Sequence, residues 1–510
     1  MSAFEANPTH SDAAVIDVGS NSVRLVLYRL DGRAIWTVYN EKVLAGLGRD
    51  LAVTGRLSLA GVAAALTALR RFRALIDTNR PGRVYAAATA AVRDAEDGAR
   101  FCQIVRKETG FDLRVLSGQE EARYAALGVL AGAPHSSGLV GDLGGASLEL
   151  SRLQSGEPQP GITLPLGPFS MGEGGRFDAD KVRAAVAAQL APFADAYRAD
   201  TLNAVGGAWR NLALLHMRLT RYPLAIVHQY ELSRSDALEA AAFVSQQSRG
   251  SLERIEGISK RRMEGLPHAA VVLEGLIQTL RVERVVISAY GLREGLLLEG
   301  LSPASRRRDP LVEGCAALGS RQAVAEALGA ALERWLAPAF ESLEPVLEGR
   351  DAILIAAACR LAELGAQLHP DHRAQLIFEQ VLRAPIPGMN HVERVFLACA
   401  AFARHSGSTS LPELATVSRL LSPERAQRAR ALGTTLRLGC ELSGRSPELL
   451  ARVSLTFEPG AVVLEAPEAW VPLLLGEQTA KRGASLAGML GSVLRMNAVS
   501  PQGARTLETV

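Results

Sequence analysis

The 510-residue chain predicts an α/β protein: a duplicated βββαβαβα unit, then an all-α region, then a small α/β domain. Three observations carry this expectation. The order of strand and helix patterns in the first part of the chain begins again after a break at AGAPHSSG (131–138). The starts of the two halves match residue on residue. Beyond a second break, SPASRRRDP (302–310), strand signals give way to Ala-, Leu- and Arg-rich helical periodicity.

The first half opens with three runs rich in Val, Ile, Leu and aromatics, AAVIDV (13–18), SVRLVLYRL (22–30) and AIWTVYNEKV (34–43), separated by turn residues at 19–21 and 31–32. A helix is expected from Ser58, where Leu59, Val62, Leu66, Leu69, Phe72 and Ile76 recur at helical spacing. A strand (83–89), a helix (97–109), a strand (112–116) and a helix from Gln119 complete the order. The second half repeats it with strands at 138–143, 147–153 and 158–166, a helix at 178–198, a strand at 201–205, inserted helices, a strand at 283–289 and a helix at 291–300. The predicted domains are therefore a first lobe (1–134), a second lobe (135–302), an all-α domain (303–445) and a small α/β domain (446–510), the last with a hairpin and a short helix.

The duplication is closer than shared order requires. AVIDVGSNSVRLVL (14–27) lies over LVGDLGGASLELSR (139–152), placing Asp17 on Asp142, Gly19 on Gly144 and Ser22 on Ser147. Each half thus begins with a strand ending in an aspartate, a turn of small residues and a returning strand. Glycine lets backbone N–H groups approach a ligand closely, and such turns make anion-binding concavities. Gly19, Ser20, Asn21, Ser22, Gly144, Gly145 and Ser147 are the predicted phosphate-binding positions, with Asp17 beside them and Thr89 at the end of a neighbouring strand.

Composition sets the outer limits. Apolar residues make up 48% and charged residues 21%, as in folded globular proteins. A net charge of +3 predicts no nucleic-acid partner by itself. Cys102, Cys315, Cys359, Cys399 and Cys440 are scattered with no CxxC pair, which argues for reduced thiols rather than disulfides or zinc. No signal-peptide pattern and no apolar run of the ~18 residues that span a membrane is visible. A cytoplasmic protein is expected, without a membrane partner.

Candidate chemistry lies at the strand-to-helix junctions. In VLSGQEEARYAAL (115–127), Ser117 and Glu120 have capping-box spacing, so Glu120 has a structural task. Glu121 points about 100° further round the helix. Pattern alone leaves it between a general base toward water and an acid held by the helix dipole. In AAATAAVRDAEDG (86–98), Arg93 suits either phosphate oxygens or a surface pair with Asp94 or Glu96. Asp142 and Glu149 suit Mg2+, which takes one or two carboxylates plus phosphate oxygens. Glu149 is equally readable as an exposed strand residue.

Two lobes with duplicated aspartate–glycine loops resemble the actin-like (RNase H-like) ATPase-type fold. The words AVIDVGSNSVRLVLYRLDG, ATAAVRDAEDG, LSGQEEARYAALGVL, LVGDLGGASLEL, AVGGAWRNLA and ISAYGLREGLLLEG resemble, in order, those of the exopolyphosphatase/guanosine-pentaphosphate phosphatase (Ppx/GppA) family. The stretch from AELGAQLHPDHRAQLIF onward resembles the HD-like helical domain of its long members. The resemblance implies Mg2+-dependent exohydrolysis of inorganic polyphosphate or guanosine polyphosphates by a homodimer. It makes Glu121 the base, matches Arg93, in a catalytic role, with Asp17, Ser20, Asn21, Gly144, Gly145 and Ser147 to the phosphate-contacting set, assigns Asp142 and Glu149 to metal or water, and puts Arg24 and Arg262 at guanosine-polyphosphate contacts. Two other classes remain: a kinase of the same superfamily, or a non-catalytic guanosine-polyphosphate sensor. Ala146, Ala90 and Ala208 depart from the glycine or hydroxyl residues common in the family words, which weakens single hydrogen bonds rather than the reaction. His369, Asp371, His372, His391 and His405 lack the His-Asp order of an HD metal site. Arg306–Arg308, Lys260–Arg262 and Arg425, Arg428 and Arg430 are basic clusters suited to a polyanion or to solvent.

Overall fold

The computed structural model describes residues 10–171, 177–247, 249–252, 265–320, 327–408, 410–500 and 503–507. It divides into two compact units, residues 1–310 and 311–510.

The first unit holds two sheets. One runs β3-β2-β1-β4-β5, from β1 (His10–Val18), β2 (Val23–Asp31), β3 (Ala34–Val43), β4 (Arg83–Ala88) and β5 (Arg114–Val115). The other runs β11-β12-β10-β6-β7-β8, with β9 also on β7, from β6 (Gly138–Leu143), β7 (Leu148–Gln154), β8 (Glu157–Pro158), β9 (Ile162–Leu164), β10 (Thr201–Val205), β11 (Tyr230–Ser233) and β12 (Arg284–Ile287). In each lobe the first strand pairs antiparallel with the second and parallel with the fourth: β1 with β2 and β4, β6 with β7 and β10. The duplicated topology of the sequence expectation is present, with β11 added at one edge.

The central strands are buried on both faces, which is why they read as continuous apolar runs. Their alternation aims the aspartates. Ala14, Ile16 and Val18 pack with Leu69 and Phe72 of the helix Leu59–Asn79, whereas Ala13 and Val15 pack with Tyr124 and Leu296 between the lobes. Asp17 continues the second set. In β6, Leu139 and Leu143 face the core of the second lobe while Val140 faces the same interlobe cluster, so Asp142 turns toward Asp17's side. Period-two geometry alone points the two carboxylates at one cleft.

The helices Gly118–Gly132 and Leu292–Gly300 cross between the sheets at glycines. A Cβ on Gly128 would strike Gly291 O, and one on Gly295 would strike Tyr124 O. Such crossings bring backbones too close for any larger residue.

Three details differ from sequence expectation. The strand expected at 158–166 is two short pieces, because Pro158, Pro160, Gly161 and Pro165 interrupt the ladder. The strand expected at 112–116 shrinks to β5, an edge. A one-turn helix, Ala90–Asp94, precedes the expected helix Gly98–Thr109.

In the second unit, helices Asp351–Arg360, Pro370–Arg383 and Pro423–Leu442 pack around His391–His405, which is buried on nearly every side, and Leu328–Glu341 packs against Asp351–Arg360. A Cβ on Gly433 would strike Ala400 O, so Pro423–Leu442 and His391–His405 cross closely. The chain ends in a sheet β13-β14-β15-β16: β13 (Ser454–Glu458), β14 (Ala461–Pro467), β15 (Val493–Ser500) and β16 (Gly503–Leu507). β14 and β15 are parallel, joined across the helix Glu477–Met489. The hairpin and helix match expectation; β15 and β16 were not foreseen.

Candidate active site

The two aspartate–glycine loops share one backbone design. Gly19 N–H donates to Ser22 O at 3.0 Å, and Gly144 N–H to Ser147 O at 2.9 Å. Outside each loop, two donors two residues apart hold its carbonyls: Gly46 and Gly48 donate to Asn21 O and Ser20 O, while Gly167 and Phe169 donate to Ala146 O and Gly145 O. Carbonyls therefore turn outward. Among the described residues no backbone acceptor takes the N–H of Asn21, Gly145 or Ala146, so these amides are available to an anion. The N–H groups of Gly19 and Gly144 close their own turns, so at these two positions it is the bare glycine backbone that shapes the cradle. The loops meet face to face, since a Cβ on Gly145 would lie 3.4 Å from Asn21 Cβ. Thr89 stands at the N-cap position of the short helix that carries Arg93 without a side-chain capping bond, and its Oγ1 lies beside Gly19.

Glu121 sits in the first turn of Gly118–Gly132. The capping box formed as expected: Ser117 Oγ accepts from Glu120 N–H, and Glu120 accepts from Ser117 N–H. Glu121 is buried and forms a close ion pair with Arg93 Nη1. Arg93 also reaches Leu116 O at 3.1 Å and Asp94 Oδ1 at 2.9 Å. The surface pair with Asp94 is thus present, and Arg93 also pairs inward with Glu121. Burial pushes the Glu121 carboxyl up to about 8, Arg93 opposes this, and Asp142 and Asp17 add to it. A cavity of about 430 Å³ adjoins Arg93, lined also by Ser117, Gln119, Ile162, Thr163 and Phe193.

On the second lobe, Glu149 stands directly across the ladder from Asp142. It is 4% exposed, which excludes the exposed-strand alternative. Burial raises the Asp142 carboxyl to about 6, with Asp17 adding to the rise. Burial raises Glu149 well above its ordinary range, followed by Glu121 and Asp142. Glu149 Oε1 is buried with no hydrogen-bond partner. Two opposed carboxylates with an orphaned oxygen fit a divalent cation, which would relieve their repulsion while leaving sites for phosphate oxygens and water. Among the described residues no group of three or more His, Cys, Asp or Glu is arranged to hold a metal.

The first lobe is the electrostatic opposite. The rung that pairs Asp142 with Glu149 and Thr163 pairs Asp17 with Arg24 and Lys42. Arg293, in the first turn of Leu292–Gly300, donates to Asp17 Oδ2 at 3.2 Å. The helix is anchored by Glu294, which accepts from Gly291 N–H and from Tyr28 Oη at 2.5 Å. Arg24 donates to Asn40 Oδ1 at 2.7 Å; burial, then Arg293 and Arg210, lowers its pKa to about 10. Lys42 is lowered by burial, then by Arg24, Arg210 and Arg293. Three cations, Arg24, Lys42 and Arg293, thus crowd one aspartate, with Arg210 acting on Arg24 and Lys42 from beyond them. Arg210, Arg293 and Lys42 escaped the sequence reading, although Arg293 stands in the word YGLREG; Arg262 lies outside the described residues.

The model of the Ppx/GppA phosphatase family matches residues 26–303. The chain belongs to that family. The model of the exopolyphosphatase C-terminal region matches residues 332–496. The chain is 29% identical over 304 residues to "Exopolyphosphatase 1" of Mycobacterium tuberculosis (strain ATCC 25618 / H37Rv), covering 56% of this chain and 87% of that one. It is 25% identical over 479 residues to "Guanosine-5'-triphosphate,3'-diphosphate pyrophosphatase" of Vibrio vulnificus (strain YJ016), covering 90% and 92%. Among solved structures, an exopolyphosphatase from Cytophaga hutchinsonii superposes with a TM-score of 0.53 at 24% identity, over 57% of this chain and 98% of that one. The Aquifex aeolicus family member gives 0.51 at 24%, over 57% and 97%. These structural likenesses establish the two-lobed actin-like fold of the first unit. Among the described residues no helix is long and apolar enough to cross a membrane.

Proposed function

We propose that this protein is a phosphoanhydride hydrolase that removes the terminal phosphate of inorganic polyphosphate, with guanosine 5′-triphosphate 3′-diphosphate as a second substrate presenting the same end group. The observation that carries this is Glu121: a buried carboxylate, paired to Arg93, on the rim of two facing anion loops. A binding protein has no use for a raised-pKa carboxylate beside a phosphate cradle, whereas hydrolysis needs a base near operating pH. The relatives named as exopolyphosphatase and pyrophosphatase support the bond class.

In the reaction the amides of Asn21, Gly145 and Ala146, with Ser20, Ser22 and Ser147, hold the terminal phosphoryl oxygens. Glu121 takes a proton from water as the water oxygen bonds to phosphorus. The bridging P–O bond breaks and its electron pair leaves with the shortened chain. Arg93 holds Glu121 and balances charge on the phosphoryl oxygens. Arg24, Lys42 and Arg293 receive the rest of the chain. Asp142 and Glu149 would hold Mg2+, whose chemistry when bound is charge neutralisation on the phosphate oxygens. We further place the reaction in the cytoplasm, in keeping with five free cysteines, and the protein as a homodimer, which sedimentation tests.

Phosphate release from long polyphosphate, tripolyphosphate, the guanosine substrate and ATP, with and without Mg2+, tests the proposal. Release from either of the first two with Mg2+ supports it. Nucleotide binding without turnover, or transfer to an acceptor without phosphate release, would sink it.

A further inference from the structure

The helical unit contains a recess whose chemistry the cleft does not explain. Arg373, Arg404, His405, Arg437, Cys440, Glu441 and Arg445 line a cavity of about 190 Å³. The lining converges from three helices, Pro370–Arg383, His391–His405 and Pro423–Leu442, and the turn after the last. Of the histidines and aspartate weighed for a metal site only His405 lies here, among side chains that are mostly cationic. His369 and Asp371 instead sit exposed at the start of Pro370–Arg383, with His369 capping it.

The positive charge is under-compensated. Glu441 is shared between Arg437, at 2.9 Å, and Arg482, at 2.6 Å. Arg445 approaches the buried Glu363 at 3.7 Å. Arg373 is held by the carbonyls of Ala366 and Leu368 rather than by a carboxylate. Arg404 is 6% exposed, and its Nε–H has no hydrogen-bond partner. Four guanidiniums line the recess, and of the two carboxylates that answer them Glu441 is shared with Arg482, which lies outside the lining. Burial and the neighbouring Arg404, Arg373 and Arg445 push His405 down to about 3, so it stays neutral, with Nε2 bonded to Leu364 O. Buried charge of one sign calls for a partner of the other.

Size and geometry narrow the partner. A cavity of about 190 Å³ falls below the roughly 300 Å³ at which drug-sized ligand sites begin. It has room for a tetrahedral oxyanion with a few waters, and not for a nucleoside. Guanidinium forks match phosphate oxygens two at a time. We propose that this recess is a second anion site, separate from the cleft, that binds one phosphate group: free orthophosphate or one phosphoryl unit of a chain. Only the choice of phosphate among oxyanions rests on the function proposed for the cleft; the site itself does not.

Hydrogen exchange of the full-length protein, read by mass spectrometry, tests it with orthophosphate, sulfate and tripolyphosphate as separate ligands. Protection of peptides covering 400–408 and 437–445 by orthophosphate supports a free-phosphate site. Protection by tripolyphosphate alone supports a chain subsite. Protection by sulfate alone leaves an oxyanion site and removes the proposed phosphate specificity, which overturns the proposal as stated; no protection by any ligand overturns it entirely. Arg445→Gln should weaken binding at least about tenfold by removing a charge-assisted fork, while loop peptides 17–22 and 142–149 respond as in the parent. Arg437→Gln is the second variant should Arg445→Gln fail to fold, and Arg445→Lys should fall between. Unchanged protection in the folded variants overturns the site, whereas loss of turnover with the recess still binding would count only against the cleft.

Discussion

Opposite each loop aspartate, on the same rung of its hairpin, lobe I carries Arg24 and lobe II carries Glu149. The backbones around them are near copies, down to the paired donors that hold the loop carbonyls. The side chains have opposite charge. Around Asp17 stand Arg24 and Lys42 of lobe I and Arg293, which reaches it from lobe II; Asp142 and Glu149 of lobe II stand near Glu121 of lobe I. The duplicated halves thus carry two equal cradles, and the difference at equivalent positions, Arg24 against Glu149, suits one hairpin to an anionic chain and the other to a cation. The cleft works as a pair of unequal halves because its scaffold is symmetric and its charge is not.

The largest expected break in this arrangement is Glu121→Gln, which keeps shape and removes the base. Phosphate release should fall about 10²–10⁴-fold with an unchanged melting temperature; a variant of full activity would dismiss Glu121 as base. Reversing the rung comes next. Glu149→Gln should raise the Mg2+ concentration needed for half-maximal rate by about 10–100-fold, the scale seen when a metal shell is disturbed, with substrate KM less affected. Arg24→Gln should do the converse, raising KM for long chains by about tenfold for a lost charge-assisted contact and leaving the Mg2+ requirement alone. If both variants shift the same parameter, the halves are not specialised. Gly295→Ala probes the joint between them: a methyl driven against Tyr124 O should cost about 1–3 kcal/mol, read as a lowered melting temperature.

The smallest effect is the dependence of stability on pH. Folding raises Asp142 to about 6 and Glu121 to about 8, above their unfolded values, so the folded state holds protons that the unfolded chain releases. The stability these groups contribute is complete below the unfolded carboxylate range and is lost as pH rises through 6 and then 8. Melting of metal-free protein should therefore decline from about pH 5 to pH 8 by this linkage. Asp142→Asn should flatten the first part of that decline, and added Mg2+ should offset it at the upper end.

Legibility in the sequence followed the range of the interactions. The loops, the capping box of Ser117 and Glu120, and the duplicated order are local, and they formed as expected. The fate of Glu149 was open because alternation places a strand residue on a face without saying whether that face is buried. Arg293 meets Asp17 across 276 residues of chain, and no periodicity announces such a pair. The opposition of Arg24 and Glu149 was present in the half-to-half alignment, where one lies over the other. The bracing pairs at Gly46 and Gly48 and at Gly167 and Phe169 follow different words in the two halves, so only their hydrogen bonds reveal the equivalence. β15 and β16 depend on a parallel partner, β14, reached across a helix.

Those bracing bonds have a consequence for how the protein can change. Turning a loop peptide over, so that a carbonyl faced the cleft in place of an amide, would break a bond to Gly46, Gly48, Gly167 or Phe169. The inward face is thereby committed to electropositive backbone whatever side chains border it. Mutations at Ser20, Asn21 or Ala146 can grade how tightly an anion is held, but inverting the preference of the loops toward cations would require rebuilding the segments behind them.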